Sequence, residues 1–145
     1  MMQLTMPKDI KSIVIASHNE GKVREIRSLL NPYGYKIMSA KKLGINEPIE
    51  NGMTFSENSL IKSRNAAKKS GLVALADDSG LCVNSLNYRP GIYSARWAGK
   101  NKDFGMAMKK IQKLMEKKDL LSKYNRRAFF VCSLSIYFPD GKNKV

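Results

Sequence analysis

The sequence places two adjacent carboxylates, Asp77 and Asp78, between two short apolar runs. The apolar runs predict two strands, and Ser79 and Gly80 predict a sharp polar turn between them. Neighbouring strand residues point to opposite faces, so at most one of these carboxylates can face a given site. A carboxylate held at a strand end is suited to binding Mg²⁺ or to taking a proton from water. An ordinary surface turn is the alternative interpretation.

A second polar segment, residues 17–22, lies between an apolar run and an amphipathic helical pattern. The free backbone N–H groups and the dipole of a helix start form an anion site, to which Lys22 would add a cation. Ser17 and Asn19 would add neutral hydrogen-bond donors. The segment matches neither a P-loop nor a dinucleotide-binding pattern, so an ordinary loop remains the alternative. His18 is the only histidine, and the sequence assigns it no catalytic role.

Glu50 and Lys62 lie on either side of a predicted helix start. Residues 54–57 have the Thr-x-x-Glu form of a capping box, so a helix is expected to begin at Thr54. Lys62 lies on that helix among apolar residues. It either snorkels to the surface or projects over a site at the strand ends. The spacing of the residues leaves both interpretations open.

The elements that would position these residues indicate an α/β fold with a mixed β-sheet flanked by helices. Strands are expected at residues 12–16, 35–39 and 126–138, and helices at residues 23–31, 54–70 and 101–121. Residues 1–11 are expected to be a flexible lead-in to a single domain over residues 1–145. A turn is predicted at residues 139–141, and only four residues follow it. We therefore expect a hairpin that is cut short, with an open strand edge.

Composition narrows the function classes. The chain has 145 residues, which fits one domain with a hydrophobic core. It contains no apolar run of about 20 residues and no secretory signal pattern, so neither a membrane span nor export is predicted. Cys82 and Cys132 lie in separate apolar runs, which favours buried free thiols in the cytoplasm.

The formal net charge is +14, and this basic character has two interpretations. A basic protein can bind nucleic acid or nucleotide phosphates. The lysines are scattered rather than interleaved with aromatic residues, which favours solvated helix faces. A small nucleic-acid-binding module is therefore the least favoured function for this chain.

The polar segments occur in one order that closely resembles the inosine triphosphate pyrophosphatase family. The resemblance rests on Ser-His-Asn-Glu-Gly-Lys at 17–22, Glu-Asn-Gly-Met-Thr-Phe at 50–55, Ala-Asp-Asp-Ser-Gly-Leu at 76–81 and Pro-Gly-Ile-Tyr-Ser-Ala-Arg at 90–96. The last two segments are the most specific. This resemblance implies an enzyme that, with Mg²⁺, hydrolyses ITP, dITP or XTP to the monophosphate and pyrophosphate.

The resemblance also implies roles for individual residues. Asp78 is the catalytic carboxylate, which activates water and helps to hold the metal, and Glu50 is the second metal-associated carboxylate. The triphosphate-binding residues are Ser17, Asn19, Lys22 and Lys62, with Ser79 and Gly80 beside the α-phosphate. Asp77 has a structural or supporting role.

The sequence departs from the family pattern in its C-terminal part. The Phe-Gly-[Tyr/Trp]-Asp-Pro and Ser-His-Arg motifs, which the family uses for purine recognition and further phosphate contact, do not occur here. Selectivity for a base requires matched polar groups. We therefore expect a C-terminally truncated enzyme, with a truncated and inactive remnant as the alternative. The expected partners are a second copy, if the fold is complete, or a separate C-terminal fragment.

Overall fold

The computed structural model describes residues 10–120, 122 and 125–145. Residues 1–9, most of the predicted lead-in, lie outside the described part. The first described residues already contact the sheet, because the carbonyl oxygen of Lys11 accepts a hydrogen bond from the Lys36 N–H at 2.7 Å.

In the part of the chain that the structure describes, six strands form a mixed sheet, which confirms the predicted fold class. The strands are β1 (Ser12–Ile15), β2 (Lys36–Ser39), β3 (Val73–Val83), β4 (Arg89–Pro90), β5 (Ala128–Tyr137) and β6 (Asn143–Lys144). Their order is β2-β1-β3-β5-β6, and β4 pairs with β3. The β1 strand is parallel to both β2 and β3. The β3–β4 and β5–β6 pairs are antiparallel.

Four α-helices accompany the sheet in the described residues. They are α1 (Glu20–Leu30), α2 (Phe55–Ser70), α3 (Ser94–Trp97) and α4 (Phe104–Lys117). None of these helices has the length and apolar character needed to cross a membrane. The α2 helix begins one residue after the predicted start and ends at the predicted Ser70. Gly71 follows it with a φ of +69°, a conformation that glycine adopts without strain.

The chain divides into two compact units. The first unit comprises Met1–Gly52, Ser56–Asp77 and Leu134–Val145, and the second comprises Met53–Phe55 and Asp78–Ser133. The boundary within β3 therefore falls between the two adjacent carboxylates.

The first unit has an apolar core on both sides of its strands. Alternate residues of β1 belong to different clusters: Val14 packs with Ala66 and Ala67 of α2, and Ile13 packs with Val23 of α1. This alternation explains why the β1 sequence is a continuous apolar run, since a strand covered on both faces needs apolar residues at every position.

The second unit has its own core around α4. Ile111 and Met115 of this helix pack with Val83 and Leu86. The helix begins later than predicted, because Asp103 caps it by accepting a hydrogen bond from the Met106 N–H at 2.9 Å. Residues 101–103 therefore precede the helix.

The predicted turn at Ser79 and Gly80 is wrong, because β3 continues through both residues to Val83. The glycine is needed for close packing rather than for a turn. A Cβ atom at Gly80 would lie 2.3 Å from the Gly91 carbonyl oxygen and 2.7 Å from Ser94 Oγ. Such distances are far below van der Waals contact, so no larger residue fits this strand position without displacing its neighbours.

The structure corrects the expectation for one cysteine and describes the predicted hairpin. Cys82 is buried as expected, but Cys132 is exposed, because its part of β5 alternates towards solvent. The predicted turn is followed by β6, which pairs Asn143 with Tyr137. A partner strand for β5 is thus present, although it is only two residues long.

Candidate active site

The loop after β1 is held in shape by its own side chains. Asn19 Oδ1 accepts hydrogen bonds from the backbone N–H groups of Gly21 at 2.9 Å and Lys22 at 3.3 Å, so Asn19 is the N-cap of α1. Its own N–H donates to Ser17 Oγ at 3.1 Å. The loop therefore presents an ordered helix start, but the Gly21 and Lys22 N–H groups that were expected to be free for an anion are capped by Asn19.

Lys22 forms an ion pair with Asp77, the last residue of β3 that belongs to the first unit. The Asp77 side chain is 9% exposed and the Lys22 side chain 38%. The sheet brings the two residues together, because β1 and β3 are adjacent parallel strands and the Ala16 N–H donates to the Leu75 carbonyl at 2.8 Å. Asp77 lies on β3 two residues beyond Leu75, the partner of the last β1 residue, so it extends past the end of β1 to the loop that leads into α1.

A second lysine–carboxylate pair joins Lys62 to Glu50. The Lys62 Nζ lies 3.0 Å from Glu50 Oε1, and the lysine side chain is only 13% exposed. The Lys62 side chain is therefore largely buried, with its ammonium group paired to Glu50. Glu50 itself is 31% exposed.

His18 connects the loop after β1 to the segment that precedes Glu50. Its Nε2 lies 2.8 Å from the Ile45 carbonyl oxygen, so this nitrogen carries a proton and donates. The His18 backbone N–H donates to Glu47 Oε1 at 3.2 Å. Sequence reasoning assigned no catalytic role to this histidine, and its contacts are those of a residue that fixes two loops.

Three of the candidate residues belong to the second unit. Asp78 is buried, with 7% of its surface exposed, and Ser79 and Gly80 follow it on β3. Ser94 holds the strand next to Gly80, because its Oγ accepts from the Leu81 N–H at 2.9 Å and donates to the Gly91 carbonyl at 2.7 Å. Sequence reasoning did not single out Ser94, although it lies within the specific segment at residues 90–96.

The sequence pattern that defines the Ham1 family matches residues 13–145. The chain belongs to the Ham1 family. All the candidate residues lie within the matched range.

Curated relatives support the membership. The dITP/XTP pyrophosphatase of Zymomonas mobilis is 54% identical over 129 residues, which are 89% of this chain and 61% of that relative. The dITP/XTP pyrophosphatase of Rhodopseudomonas palustris is 50% identical over 129 residues, with the same coverage of 89% and 61%. The chain thus spans about three fifths of the length of these relatives.

Solved structures give the same assignment. A HAM1 protein from Coxiella burnetii superposes with a TM-score of 0.79 at 38% identity, covering 88% of this chain and 63% of that protein. The Ham1 protein of Staphylococcus aureus gives a TM-score of 0.76 at 41% identity, covering 92% of this chain and 67% of the other. The mixed sheet with flanking helices is therefore the Ham1 fold.

The candidate residues of this Ham1 protein fall into two sets. The first unit brings together the loop of Ser17 and Asn19 with the Lys22–Asp77 pair, and it also contains the Lys62–Glu50 pair. The second unit contains Asp78, Ser79 and Gly80. Asp77 is the residue whose contact sequence reasoning missed, because that contact depends on the parallel pairing of β1 with β3.

The carboxylates of this Ham1 protein are its candidate metal ligands. Within the described residues, no three His, Cys, Asp or Glu side chains are grouped so that they could hold an ion. Mg²⁺ commonly binds through one or two carboxylates together with substrate phosphates and water. Glu50 in the first unit and Asp78 in the second each carry hard oxygen donors of this kind.

Proposed function

We propose that this chain carries the hydrolytic residues of a nucleoside triphosphate pyrophosphatase. In the proposed reaction, ITP, dITP or XTP reacts with water to give the nucleoside monophosphate and pyrophosphate. The observation that carries the proposal is the 54% identity over 129 residues to a relative named dITP/XTP pyrophosphatase. The two lysine–carboxylate pairs of the first unit support it.

The lysines provide phosphate recognition in this proposal. Lys22 and Lys62 each rest against a carboxylate, Asp77 and Glu50 respectively, so their charge is compensated before a nucleotide binds. A triphosphate carries more negative charge than a single carboxylate and competes for the ammonium groups. Ser17 and Asn19 would add hydrogen bonds at the start of α1, where the helix dipole favours an anion.

Hydrolysis would be initiated by Asp78. Its carboxylate takes a proton from a water molecule as the water oxygen attacks the α-phosphorus. The bond between the α-phosphorus and the bridging oxygen then breaks, and pyrophosphate leaves with that bond's electron pair. The lysine ammonium groups stabilise the charge that develops on the leaving group. Ser79 and Gly80 would flank the α-phosphate.

Magnesium is the cofactor in this proposal, held by Glu50 and Asp78. When bound, it supplies charge neutralisation at the phosphate oxygens. We also propose that the protein acts in the cytoplasm, where the purine nucleotide pool is found, with the nucleoside triphosphate as its substrate.

The experiment is a pyrophosphate-release assay on the 145-residue chain with ITP and Mg²⁺. The Asp78→Asn variant is expected to lose activity by about 10²–10⁴-fold, the usual contribution of a general base. Asp140→Asn is the matched control, because Asp140 is an exposed aspartate of the β5–β6 turn. Unchanged turnover in Asp78→Asn would reject the assigned role of Asp78.

The alternative is that this chain is active only together with a second polypeptide. The exposed apolar side chains of β5 favour this alternative. Phe130 is 78% exposed and Leu134 is 53% exposed, and both lie on the same face of β5 because strand side chains alternate. Exposed apolar faces commonly mark a partner site. The proposed partners are a second copy of the chain or a separate C-terminal fragment. Pyrophosphate release that appears only on addition of the C-terminal part of a relative would favour this alternative, as would a dimeric mass by ultracentrifugation.

A further inference from the structure

Three side chains of α2 contact the irregular segment at residues 46–52, which carries Glu50. The Asn65 Nδ2 donates to the Asn46 carbonyl oxygen at 3.1 Å. The Lys62 Nζ pairs with Glu50 at 3.0 Å. The Asn58 Oδ1 accepts from the Gly52 N–H at 2.9 Å.

The order of these contacts is regular. Asn58, Lys62 and Asn65 are spaced four and three residues apart, which puts them in one stripe along a helix. Their partners occur in the reverse order, so the segment runs antiparallel to α2. The stripe contacts the segment near its start, at Glu50 and at its end.

The hydrogen bond between Asn58 and Gly52 is the shortest of the three contacts. Asn58 is fully buried, and a Cβ atom at Gly52 would lie 2.7 Å from Asn58 Oδ1 and 2.7 Å from Glu57 Cβ. The backbone at Gly52 therefore packs directly on the first turn of α2. A residue with any side chain would push the segment away from the helix.

These contacts fix a segment that has no regular secondary structure of its own. Glu50 is 31% exposed, and an ion pair that is partly open to water gives little positional restraint by itself. The amide contacts at Asn46 and Gly52 restrain the backbone on both sides of the glutamate. Their removal would take away restraints on the backbone on both sides of Glu50.

We propose that Asn58 and Asn65 are positioning residues, which hold the Glu50 carboxylate where it can meet a nucleotide-bound magnesium ion. The role of Glu50 in this inference rests on the proposed function. The restraint of residues 46–52 by Asn58 and Asn65 does not depend on that function. The residues that orient a metal ligand commonly change metal affinity or activity by about 10–100-fold when they are replaced.

The test uses Asn65→Ala as its main variant, because Asn65 is only half-buried and its loss is compatible with folding. Asn65→Gln keeps the amide donor, and Asn58→Ser probes the buried contact. Lys68→Ala is the control, since Lys68 is exposed on the same helix beyond the last residue of the stripe. Two measurements are made: the Mg²⁺ concentration for half-maximal pyrophosphate release and hydrogen–deuterium exchange across residues 46–52.

We expect Asn65→Ala and Asn58→Ser to raise the Mg²⁺ requirement by about tenfold and to speed exchange in residues 46–52. Asn65→Gln should recover part of the change, and Lys68→Ala should show none. Normal exchange in both asparagine variants would overturn the proposal, whether or not the wild type hydrolyses ITP. Faster exchange with an unchanged Mg²⁺ requirement in an active enzyme would also overturn it. If the wild type has no activity, the proposed function is contradicted. The exchange data would still show whether Asn58 and Asn65 restrain residues 46–52.

Discussion

The ammonium group of Lys22 forms an ion pair with the carboxylate of Asp77, a residue 55 positions further along the chain. Sequence reasoning gave the phosphate-binding role to Lys22 and only a supporting role to Asp77. The ion pair connects the two roles, because Asp77 compensates the charge of Lys22, the lysine that is proposed to bind the triphosphate. It also makes Asp77 the natural comparison for Asp78, its neighbour on β3.

Replacing Asp77 should affect stability more than chemistry. Asp77→Asn keeps the side-chain shape but removes the charge that faces Lys22. Because Lys22 is more than one-third exposed, the pair is screened by water, and we expect the free energy of unfolding to fall by about 1 kcal/mol. Urea denaturation measures this change. The kcat for ITP should fall by less than about tenfold, in contrast to the loss of 10²–10⁴-fold expected for Asp78→Asn.

The two aspartates can therefore be distinguished in one experiment. If Asp77→Asn abolished pyrophosphate release while Asp78→Asn retained it, the catalytic carboxylate would be Asp77. Adjacent strand residues point to opposite faces, so the two substitutions are not expected to give equal losses.

Replacing Lys62 should weaken substrate binding. Lys62→Met keeps much of the aliphatic stem but removes the ammonium group that lies 3.0 Å from Glu50. A hydrogen bond to a charged group contributes about 1.5–3 kcal/mol, so the KM for ITP should rise by at least about tenfold. Steady-state kinetics at saturating Mg²⁺ measure this change, and Lys62→Arg should retain part of the binding.

Lys68→Met is the control for this experiment, because Lys68 is an exposed lysine on the same helix. It lowers the net charge by the same amount without touching Glu50. An equal rise in KM for both variants would mean that overall charge, and not a specific contact of Lys62, attracts the nucleotide.

The sequence predicted the elements of regular structure better than it predicted their contacts. The apolar run at β1 and the capping pattern before α2 were sufficient to place these elements, because both signals are local. The contact of Lys22 with Asp77 depends on which strands are neighbours, and periodicity contains no information about strand order. Likewise, the burial of Lys62 depends on the segment packed against it.

The wrong turn at Ser79 and Gly80 has a related cause. Glycine is common in turns because it adopts positive φ values, and its other use, close packing, depends on distant parts of the chain. The atoms that crowd Gly80 belong to Gly91 and Ser94, which the local sequence does not reveal. A local pattern therefore favoured the commoner role of glycine over the one that it has here.

This interpretation of Gly80 predicts opposite outcomes for two glycine-to-alanine substitutions. Gly80→Ala would place a Cβ atom 2.3 Å from the backbone carbonyl oxygen of Gly91, which cannot move without shifting its own chain. We expect a loss of about 1–3 kcal/mol in the free energy of unfolding, the usual cost of overpacking. Gly105→Ala meets only the Asp103 side chain, at 3.1 Å, and lies inside α4. There alanine should be neutral or stabilise the protein by up to about 1 kcal/mol, because glycine is a poor helix former. Thermal or urea unfolding of both variants measures the difference, and a Gly80→Ala protein as stable as the wild type would show that β3 can move away from residues 91–94.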